Sequence, residues 1–501
     1  MTNLLYDALF GPHIANEAPF LSCDDGAVIT YAEFVARAAQ MAHVLQTQGV
    51  RRGDRVLVQA PKLSDTLALY AGAVQSGAVY LPLNTAYTNS ELTYFAENAA
   101  PKLIVTGTEN ASFAASLADE IGAKALTLAG SCGTLSSHAN EQPRAFETVS
   151  RGPDDLAALL YTSGTTGRSK GAMLSHKNLL SNAEVLVDHW RMSHSDRLIH
   201  ALPIFHTHGL FVAMNTSLLC GAQVRLMERF SVEGIIDALP TSTLLMGVPT
   251  FYTRLLEDKR LTRDRCKNMR LLISGSAPLL AETHTKFEER TGHRILERYG
   301  MTETNMITSN PYEGQRVAGT VGFALPGTEV RIVDPDTKKE LPHGDIGMIE
   351  VRGENVFQGY WQMPEKTAEE LRPDGFFLTG DLATSSPDGR ITIVGRAKDL
   401  IIAGGYNIYP KEVEDVLNDL DGVLESAVFG VPHPDFGESV VAALVPKPGQ
   451  KVDLEFVQDA IGTKLAKFKC PRRYVLLDLL PRNTMGKVQK TVLRELHSGD
   501  A

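Results

Sequence analysis

Residue types that suit phosphate chemistry are densest in one loop of this chain, Tyr161-Thr162-Ser163-Gly164-Thr165-Thr166-Gly167-Arg168-Ser169-Lys170-Gly171. Its glycines let backbone N–H groups approach phosphate oxygens closely, its hydroxyls add donors, and Lys170 supplies a positive charge. The preceding apolar run, Leu156–Leu160, has the length of a buried strand. The spacing differs from the G-x-x-x-x-G-K-[ST] pattern. The loop predicts a phosphate site, although taken alone it also fits an ordinary turn after a strand.

Three further apolar runs end in small or polar residues. They lead to His206-Thr207-His208, to Gly247, and to Gly275-Ser276-Ala277-Pro278. In open α/β sheets the ligand site lies beyond the carboxyl ends of the strands, so we expect these residues to line one site. Histidines two residues apart also suggest a metal. Because no third cysteine, histidine or carboxylate lies near them in the sequence, zinc is not expected.

Two carboxylates follow strand-like runs in the same way. Glu303 closes Tyr299-Gly300-Met301-Thr302-Glu303, where the adjacent threonine suits contact with a metal and a phosphate, although a solvated turn has the same pattern. Asp381 follows Phe376–Gly380 and is placed to accept hydrogen bonds from a ribose diol, or is a turn aspartate. Together the two carboxylates indicate a nucleotide and a divalent cation.

The elements that position these residues alternate between strand and helix patterns. Thr88-Asn89-Ser90-Glu91 is a capping box that predicts a helix to about Asn98, and a strand-like run, Leu103–Val105, follows. The stretch from Gly122 to Arg151 is mostly small and polar, and we expect it at the surface. Such alternation predicts an α/β fold of parallel sheets covered by helices.

From Val330 the pattern changes to strand-like runs separated by Gly, Pro and Asp, which predicts an antiparallel β subdomain. The charged link Gly395–Asp399 predicts a boundary between a large domain, residues 1–396, and a small α+β domain, residues 397–501. In the small domain a hairpin is expected to turn at Gly404-Gly405, and a helix to begin at Pro410 and end before Gly422. The basic stretch Lys464–Arg494 favours a polyanionic ligand, with a solvated face as the alternative.

Composition limits the functional class. The chain has 501 residues, 43% of them apolar and 22% charged, which predicts a globular protein of about two to four folding units. A net charge of -10 argues against nucleic-acid binding. No apolar run suits a membrane span, and five cysteines without C-x-x-C spacing indicate free thiols. Neither end has a secretory or peroxisomal signal, so we expect a cytoplasmic enzyme, as a monomer or weak homodimer.

These motifs, in this order, resemble the adenylate-forming superfamily of acyl-CoA synthetases, adenylation domains and luciferases. The resemblance covers essentially the whole chain, and its motifs are Thr162–Gly171, Tyr299–Glu303, Thr379-Gly380-Asp381, Gly395–Asp399 and Asn483-Thr484-Met485-Gly486-Lys487. Ser169 departs from the family pattern, which often has proline there. The resemblance implies ATP, Mg²⁺ and coenzyme A, and a large domain of packed α/β sheets followed by a mobile α+β domain.

The resemblance also implies roles for individual residues. The ATP site would comprise Thr162, Ser163, Gly164, Thr165, Thr166, Gly167, Lys170, Gly275, Ser276, Ala277, Pro278, Glu297, Arg298, Tyr299, Gly300, Met301, Thr302, Asp381 and Arg396. Mg²⁺ would be bound by Thr166 and Glu303, and the catalytic residues would be Lys487, Glu303, Thr302 and His206. Lys487 would bridge the attacking carboxylate and the α-phosphate. A hinge at Lys398 would then withdraw it for the CoA step. The CoA contacts would be Gly404, Gly405, Tyr406, Lys464, Lys469, Arg472 and Arg473.

The residue before the motif tyrosine bears on the choice of acid. The acyl pocket would be lined by Arg298, His206, Thr207, His208, Gly247, Ser276 and Ile307. Relatives that use aromatic acids often have glycine where this chain has Arg298. Because a buried unpaired guanidinium is costly, an arginine at this position indicates a pocket that binds an anion. That predicts a short dicarboxylate, unless Arg298 pairs with Glu297 or another internal acid. Residues 203–210, 247–252 and 297–310 look similar to malonyl-CoA synthetases, which favours malonate, with methylmalonate tolerated, over acetate, propionate or a carrier-loading role.

Overall fold

The computed structural model describes residues 3–130, 132–162, 169–404, 406–434, 436–483 and 486–498. The chain divides into two compact units, which we call unit 1 (Met1–Glu329 with Val351–Phe377) and unit 2 (Val330–Glu350 with Leu378–Ala501). The boundary that the sequence predicts after Arg396 does not coincide with this division and stays a prediction. No helix in the described ranges is both long enough and apolar enough to cross a bilayer.

The α-helices of the described residues are, in chain order, α1 (Leu4–Leu9), α2 (Tyr31–Thr47), α3 (Ser64–Gln75), α4 (Asn89–Ala99), α5 (Ala111–Ile121), α6 (Thr134–Asn140), α7 (His176–His189), α8 (Asn215–Cys220), α9 (Val232–Ala238), α10 (Pro249–Glu257), α11 (Ala281–Thr291), α12 (Pro364–Glu370), α13 (Pro410–Asn418), α14 (Leu454–Lys464) and α15 (Lys490–His497). Short 3₁₀ helices span Gly11–His13, Thr108–Asn110, Leu239–Thr241, Ala397–Asp399 and Lys467–Lys469. A π-helix spans His208–Met214.

The strands are β1 (Pro19–Cys23), β2 (Val28–Thr30), β3 (Arg55–Gln59), β4 (Val79–Pro82), β5 (Leu103–Thr106), β6 (Lys124–Thr127), β7 (Leu156–Thr162), β8 (Lys170–Ser175), β9 (Arg197–His200), β10 (Gln223–Leu226), β11 (Leu244–Gly247), β12 (Leu271–Ser274), β13 (Leu296–Met301), β14 (Asn305–Ser309), β15 (Phe323–Ala324), β16 (Thr328–Val333), β17 (Gly347–Gly353), β18 (Phe377–Ser385), β19 (Ile391–Arg396), β20 (Ile401–Ala403), β21 (Tyr406–Ile408), β22 (Val423–His433), β23 (Gly437–Pro446) and β24 (Arg473–Leu476).

Unit 1 contains two large, mostly parallel sheets. The first has the strand order β6-β5-β3-β4-β7-β8, with β8 antiparallel to β7. The second has the order β15-β14-β13-β12-β11-β9-β10-β1-β2, in which β13, β12, β11, β9, β10 and β1 run parallel. Strands β3, β4, β5, β11 and β12 are buried almost throughout, as expected for parallel strands covered on both faces. The α/β class predicted from the sequence is confirmed.

Two smaller sheets follow. One has the order β16-β17-β18-β19, and the other has the order β21-β20-β23-β22, with β24 beside β23. In the latter, Val413 and Leu417 of α13 are fully buried in a core with Val428 and Ala442 of the central strands. The small α+β domain predicted from the sequence is present in this part of the chain, and its first helix begins at Pro410 as predicted and ends at Asn418, before Gly422.

Local sequence signals predicted several element ends correctly. Thr88 caps α4, and the reciprocal contact with Glu91 is present. Pro410 begins α13, and Ala403 of β20 pairs with Tyr406 of β21, as expected for the predicted hairpin. The surface position expected for Gly122 to Arg151 was wrong in part. That stretch forms β6 and α6, and Leu128 and Leu135 are fully buried, because two well-spaced leucines suffice to anchor a short polar segment.

The contact between α2 and α3 gives a stability prediction. A Cβ added at Gly72 of α3 would lie 2.7 Å from the Ala38 carbonyl oxygen and 2.8 Å from Met41 Cβ. Gly72→Ala should therefore lower the free energy of unfolding by about 1–3 kcal/mol, because two buried helices would have to separate. The matched control is Gly462→Ala in α14, where nothing lies within 4 Å of the added Cβ and a gain of about 0.5–1 kcal/mol is expected. Calorimetric unfolding of the two variants measures the difference, and equal melting curves would contradict the packing argument.

Candidate active site

The ends of four neighbouring strands meet at one edge of the larger sheet of unit 1. Gly247, the last residue of β11, pairs with Ser274, the last residue of β12, and Ser274 pairs with Glu297 of β13. Strand β9 lies on the other side of β11 and leads to His206-Thr207-His208. The parallel register thus brings together the strand ends that the sequence singled out. Ile307 is fully buried on β14, the antiparallel neighbour of β13.

Arg298 lies on β13 and is only 3% exposed. Its guanidinium lies against the backbone of Gly275, where an added Cβ would come within 2.3 Å of Arg298 Cζ, so only glycine leaves room for this group. Nε and Nη2 are buried without a hydrogen-bond partner, and no described carboxylate forms an ion pair with Arg298. Burial lowers the pKa of Arg298 to about 9, a change that Tyr252 opposes, so the group stays positive at neutral pH.

The alternative that Arg298 pairs with Glu297 is not realised. The carboxylate of Glu297 instead lies 3.5 Å from His284 Nδ1 and accepts a hydrogen bond from the Gly319 backbone N–H. Successive side chains of a strand point to opposite faces, so neighbours in sequence are poorly placed to pair. The positive charge of Arg298 is therefore uncompensated among the described residues.

The histidine segment also carries unsatisfied polar atoms. Thr207 Oγ1 and His208 Nε2 are buried without a hydrogen-bond partner in the described residues. His208 Nδ1 lies 3.3 Å from Ser276 Oγ, and Ser276 adopts φ +71°. Burial, and then the charge of Arg298, hold the pKa of His208 well below its usual range, so the imidazole is neutral. A buried site with a fixed cation and spare donors is suited to an anion.

Two residues that the sequence did not single out hold the histidine segment. Lys62 Nζ lies 2.8 Å from both Nδ1 and the carbonyl oxygen of His200, and His200 Nε2 lies 2.8 Å from the carbonyl oxygen of Gly209. The pKa values of Lys62 and His200 are both lowered by burial. This chain of contacts fixes the start of the π-helix that carries His208.

Lys170, the lysine of the phosphate loop, lies in a second cluster. Its Nζ is 3.1 Å from Glu370 Oε1 and 4.1 Å from the centroid of the Tyr360 ring. The Tyr360 hydroxyl lies 2.6 Å from Glu370 Oε2 and 3.0 Å from Glu303 Oε1, so it connects the lysine's counter-ion with the predicted metal ligand. Neither Tyr360 nor Glu370 was predicted, because an isolated tyrosine or glutamate in a polar segment carries no signal of its own.

Glu303 is suited to bind a divalent cation. It lies in the turn between β13 and β14, beside Thr302, and is 4% exposed. Burial raises the pKa of Glu303, although Tyr360 and Lys170 act to lower it. The ionised carboxylate is therefore only partly stabilised by its neighbours, and a nearby cation would stabilise it further. One carboxylate with substrate phosphates is a common way to hold Mg²⁺. The described residues contain no group of three His, Cys, Asp or Glu side chains arranged for a metal.

The structure describes only some of the residues that the sequence predicts to bind the nucleotide. Ser163, Gly164, Thr165, Thr166 and Gly167 fall outside the described residues, as does Gly405 of the hairpin. Thr162 ends β7 opposite Lys170, with which it pairs. Gly275, Ser276, Ala277 and Pro278 follow β12, and Tyr299, Gly300 and Met301 end β13.

The predicted ribose residues of unit 2 are adjacent. Asp381 on β18 pairs with Arg396 on β19, and Arg396 Nε lies 3.1 Å from Asp381 Oδ1. Asp381 is 5% exposed and its backbone N–H donates to Thr379 Oγ1 at 3.1 Å. Lys398, the predicted hinge residue, lies in the short 3₁₀ helix that follows, next to Asp399, which forms an ion pair with Arg494.

Lys487 lies in a tight loop of unit 2. The Asn483 side chain accepts a hydrogen bond from the Lys487 N–H at 3.0 Å, and the Asn483 N–H donates to the Lys487 carbonyl at 2.9 Å. These contacts fix the backbone of the lysine.

The predicted CoA residues form a partly exposed aromatic and basic surface of unit 2. Tyr406 stacks on Phe468 with 4.6 Å between ring centroids, and the Arg472 guanidinium lies 4.0 Å from the Phe436 ring centroid. Lys464 is exposed at the end of α14. Lys469 forms an ion pair with Glu412, and Arg473 donates to the His497 carbonyl, so these two cations already have partners. Gly404, at φ +60°, begins the turn.

Comparison with known proteins shows what this arrangement is similar to. The profile of the AMP-binding enzyme family matches residues 13–361, and that of the AMP-binding enzyme C-terminal domain matches residues 412–487. The crystal structure of ATP-bound MatB from Rhodopseudomonas palustris is 53% identical, with 99% of each chain covered and a TM-score of 0.97. The malonate–CoA ligase of Arabidopsis thaliana is 33% identical over 89% of this chain and 78% of its own length. The feruloyl-CoA synthase of an Amycolatopsis species is 35% identical over 94% of both chains.

The left-handed backbone of Ser276 gives a prediction for the site. A non-glycine residue in this region costs about 1–2 kcal/mol, so Ser276→Gly should be more stable than Ser276→Ala by about that amount. Both variants lose the hydroxyl that faces His208, and the comparison therefore isolates the backbone strain. Denaturant unfolding monitored by circular dichroism measures it. Equal stability of the two variants would show that the strain is absent.

Proposed function

Because the chain belongs to the AMP-binding enzyme family and is an acid–CoA ligase, we propose that its acid is malonate and that its product is malonyl-CoA. Methylmalonate is the expected second substrate. The observation that carries the choice of acid is the buried guanidinium of Arg298, which has no internal counter-ion among the described residues. Family membership alone does not identify the acid, because one relative is named as a malonate–CoA ligase and another as a feruloyl-CoA synthase.

A dicarboxylate meets the electrostatic demand of the pocket. An unpaired buried charge costs several kcal/mol, and a carboxylate that accepts two hydrogen bonds from a guanidinium offsets much of that cost. Nε and Nη2 of Arg298 are two donors on one edge of the guanidinium, which is the geometry that a carboxylate accepts. Thr207 Oγ1 and His208 Nε2, which are also buried without a partner, would supply further polar contacts. The distal carboxylate of malonate would be held there, and the other would be left to react.

In the first step one oxygen of that second carboxylate bonds to the α-phosphorus of ATP. The bond to the bridging oxygen breaks and pyrophosphate leaves. Lys170 and the Thr162–Gly167 loop would hold the β- and γ-phosphates, and Thr302 would contact the α-phosphate. Asp381, with Arg396, would bind the ribose diol, and Gly275–Pro278 would flank adenine. Mg²⁺ held by Glu303 and Thr166 would neutralise charge on the phosphate oxygens, and Lys487 would stabilise the in-line transition state.

In the second step the thiol sulfur of CoA bonds to the acyl carbon of malonyl-AMP. The bond from that carbon to the AMP oxygen breaks, the thiol proton is released, and AMP leaves. We expect a rotation at Lys398 to exchange Lys487 for the Gly404–Tyr406 hairpin between the two steps. Lys464 and Arg472 are the better candidates for the CoA phosphates, because Lys469 and Arg473 already have protein partners.

The choice of acid is tested by AMP release with malonate, methylmalonate, succinate and acetate, each with and without CoA. Malonate should give the highest kcat/KM. Arg298→Gly should lower kcat/KM for malonate about 10²-fold or more while ATP affinity is kept, because two charge-assisted hydrogen bonds are lost. Arg298→Lys is the matched control, because it keeps the positive charge but lacks the planar guanidinium with its paired donors. This variant should have more activity than Arg298→Gly but less than the unmodified enzyme. A preference of the unmodified enzyme for acetate would contradict the proposal.

The role of Lys487 is tested by separating the half-reactions. Lys487→Ala should lower malonyl-AMP formation by about 10²–10³-fold, because a transition-state contact is lost. The same variant should still convert supplied malonyl-AMP and CoA to the thioester. Lys490→Ala is the control three residues away, since Lys490 forms an ion pair with Glu414 and has no proposed role. Equal loss in both half-reactions of Lys487→Ala would exclude the exchange of Lys487 for the hairpin.

A further inference from the structure

Lys170, the lysine proposed to bind the ATP phosphates, already forms an ion pair with a carboxylate of the protein. Lys170 is 7% exposed, and its Nζ lies 3.1 Å from Oε1 and 3.4 Å from Oε2 of Glu370. A buried ammonium without a counter-ion is costly, so this ion pair, together with the Tyr360 ring, stabilises Lys170 when no phosphate is bound. Phosphate oxygens and the Glu370 carboxylate therefore compete for one side chain.

Glu370 does not depend on Lys170 as its only partner. Lys366 Nζ lies 3.0 Å from Glu370 Oε1, and the Tyr360 hydroxyl lies 2.6 Å from Oε2. Burial raises the pKa of Glu370, but the hydrogen bonds from Tyr360, Lys366 and Lys170 outweigh it and the net shift is downward, so the group is ionised at neutral pH. If Lys170 turns to a phosphate, Glu370 keeps a cation and a hydroxyl donor. The exchange thus leaves no unpaired buried charge on either side.

We propose that Glu370 is a competing counter-ion, which Lys170 leaves when the terminal phosphates of ATP bind and to which it returns when pyrophosphate departs. This inference rests on the proposed role of Lys170 as a phosphate ligand. Glu370 weakens the binding of triphosphate and pyrophosphate, and so favours release of the first product. AMP has neither a β- nor a γ-phosphate, so Lys170 stays with Glu370 when AMP is bound.

Glu370→Gln tests the competition, because it removes the charge and keeps the shape. Isothermal titration calorimetry of the full chain without divalent metal should show ATP bound about tenfold more tightly than by the unmodified enzyme, the effect of one partly screened charge pair, and AMP bound equally. Glu369→Gln is the matched control. It is the neighbouring glutamate, its side chain is 64% exposed, and it contacts Lys366 but forms no ion pair with Lys170. We expect ATP affinity within about twofold of the unmodified enzyme for this control.

A double-mutant cycle separates direct competition from a general effect of charge. In a Lys170→Met background, Glu370→Gln should no longer strengthen ATP binding. Unchanged or weaker ATP binding by Glu370→Gln, an equal gain for AMP, or a gain that persists without Lys170 would each overturn the inference. If Glu370→Gln unfolds at a lower temperature than the unmodified enzyme, Glu370→Ala replaces it in the test, and the same increase in ATP affinity is expected. An unmodified enzyme that bound AMP but not ATP would instead contradict the proposed nucleotide site.

Discussion

The positive charge of Arg298 is buried beside Gly275 without a carboxylate partner among the described residues, and the proposed preference for a dicarboxylate depends on it. Removing a guanidinium from water costs several kcal/mol when no partner replaces the solvent, and the remainder of the fold must supply that stability. Strain and unsatisfied groups of this kind persist where the surrounding structure holds them in place. Here the parallel strands β11, β12 and β13 provide a rigid frame, because their pairing holds the strand ends near Arg298 in register. The proposed anion site would therefore be formed before any ligand binds.

Much of this frame could be predicted from the sequence, because its signals are local. The capping box at Thr88, Pro410 at the start of α13 and the paired glycines of the hairpin each act within a few residues. The gathering of strand ends at Gly247 and Ser274 follows from parallel pairing, which the alternation of strands and helices indicates. Arg298 was recognisable through the family resemblance, because relatives often have glycine at this position and a buried charge requires a partner.

The contacts that support the site were not predictable in this way. Lys62 and His200 are 138 residues apart, and Lys170 and Glu370 are 200 residues apart. No periodicity or motif links such positions, and Lys62 and Glu370 on their own are typical of a solvated surface. Their pairing depends on how loops and a short helix pack against the sheets, which is a property of the tertiary structure. The sequence predicted groups for substrate contact, and the structure added the side chains that pack against some of those groups.

The π-helix at His208–Met214 has an evolutionary consequence. Such a helix contains one residue more per turn than an α-helix, and it persists because its neighbours stabilise the wider turn. Deleting one residue there would convert the wide turn to an ordinary helical turn, and the residues on either side would keep nearly the same angular relation, because the wide turn accommodates the extra residue. A deletion of the same length in a regular α-helix would instead rotate the residues on one side by about 100° relative to the other. The chain can therefore change in length by one residue here with less disturbance of the buried neighbours than in an ordinary helix.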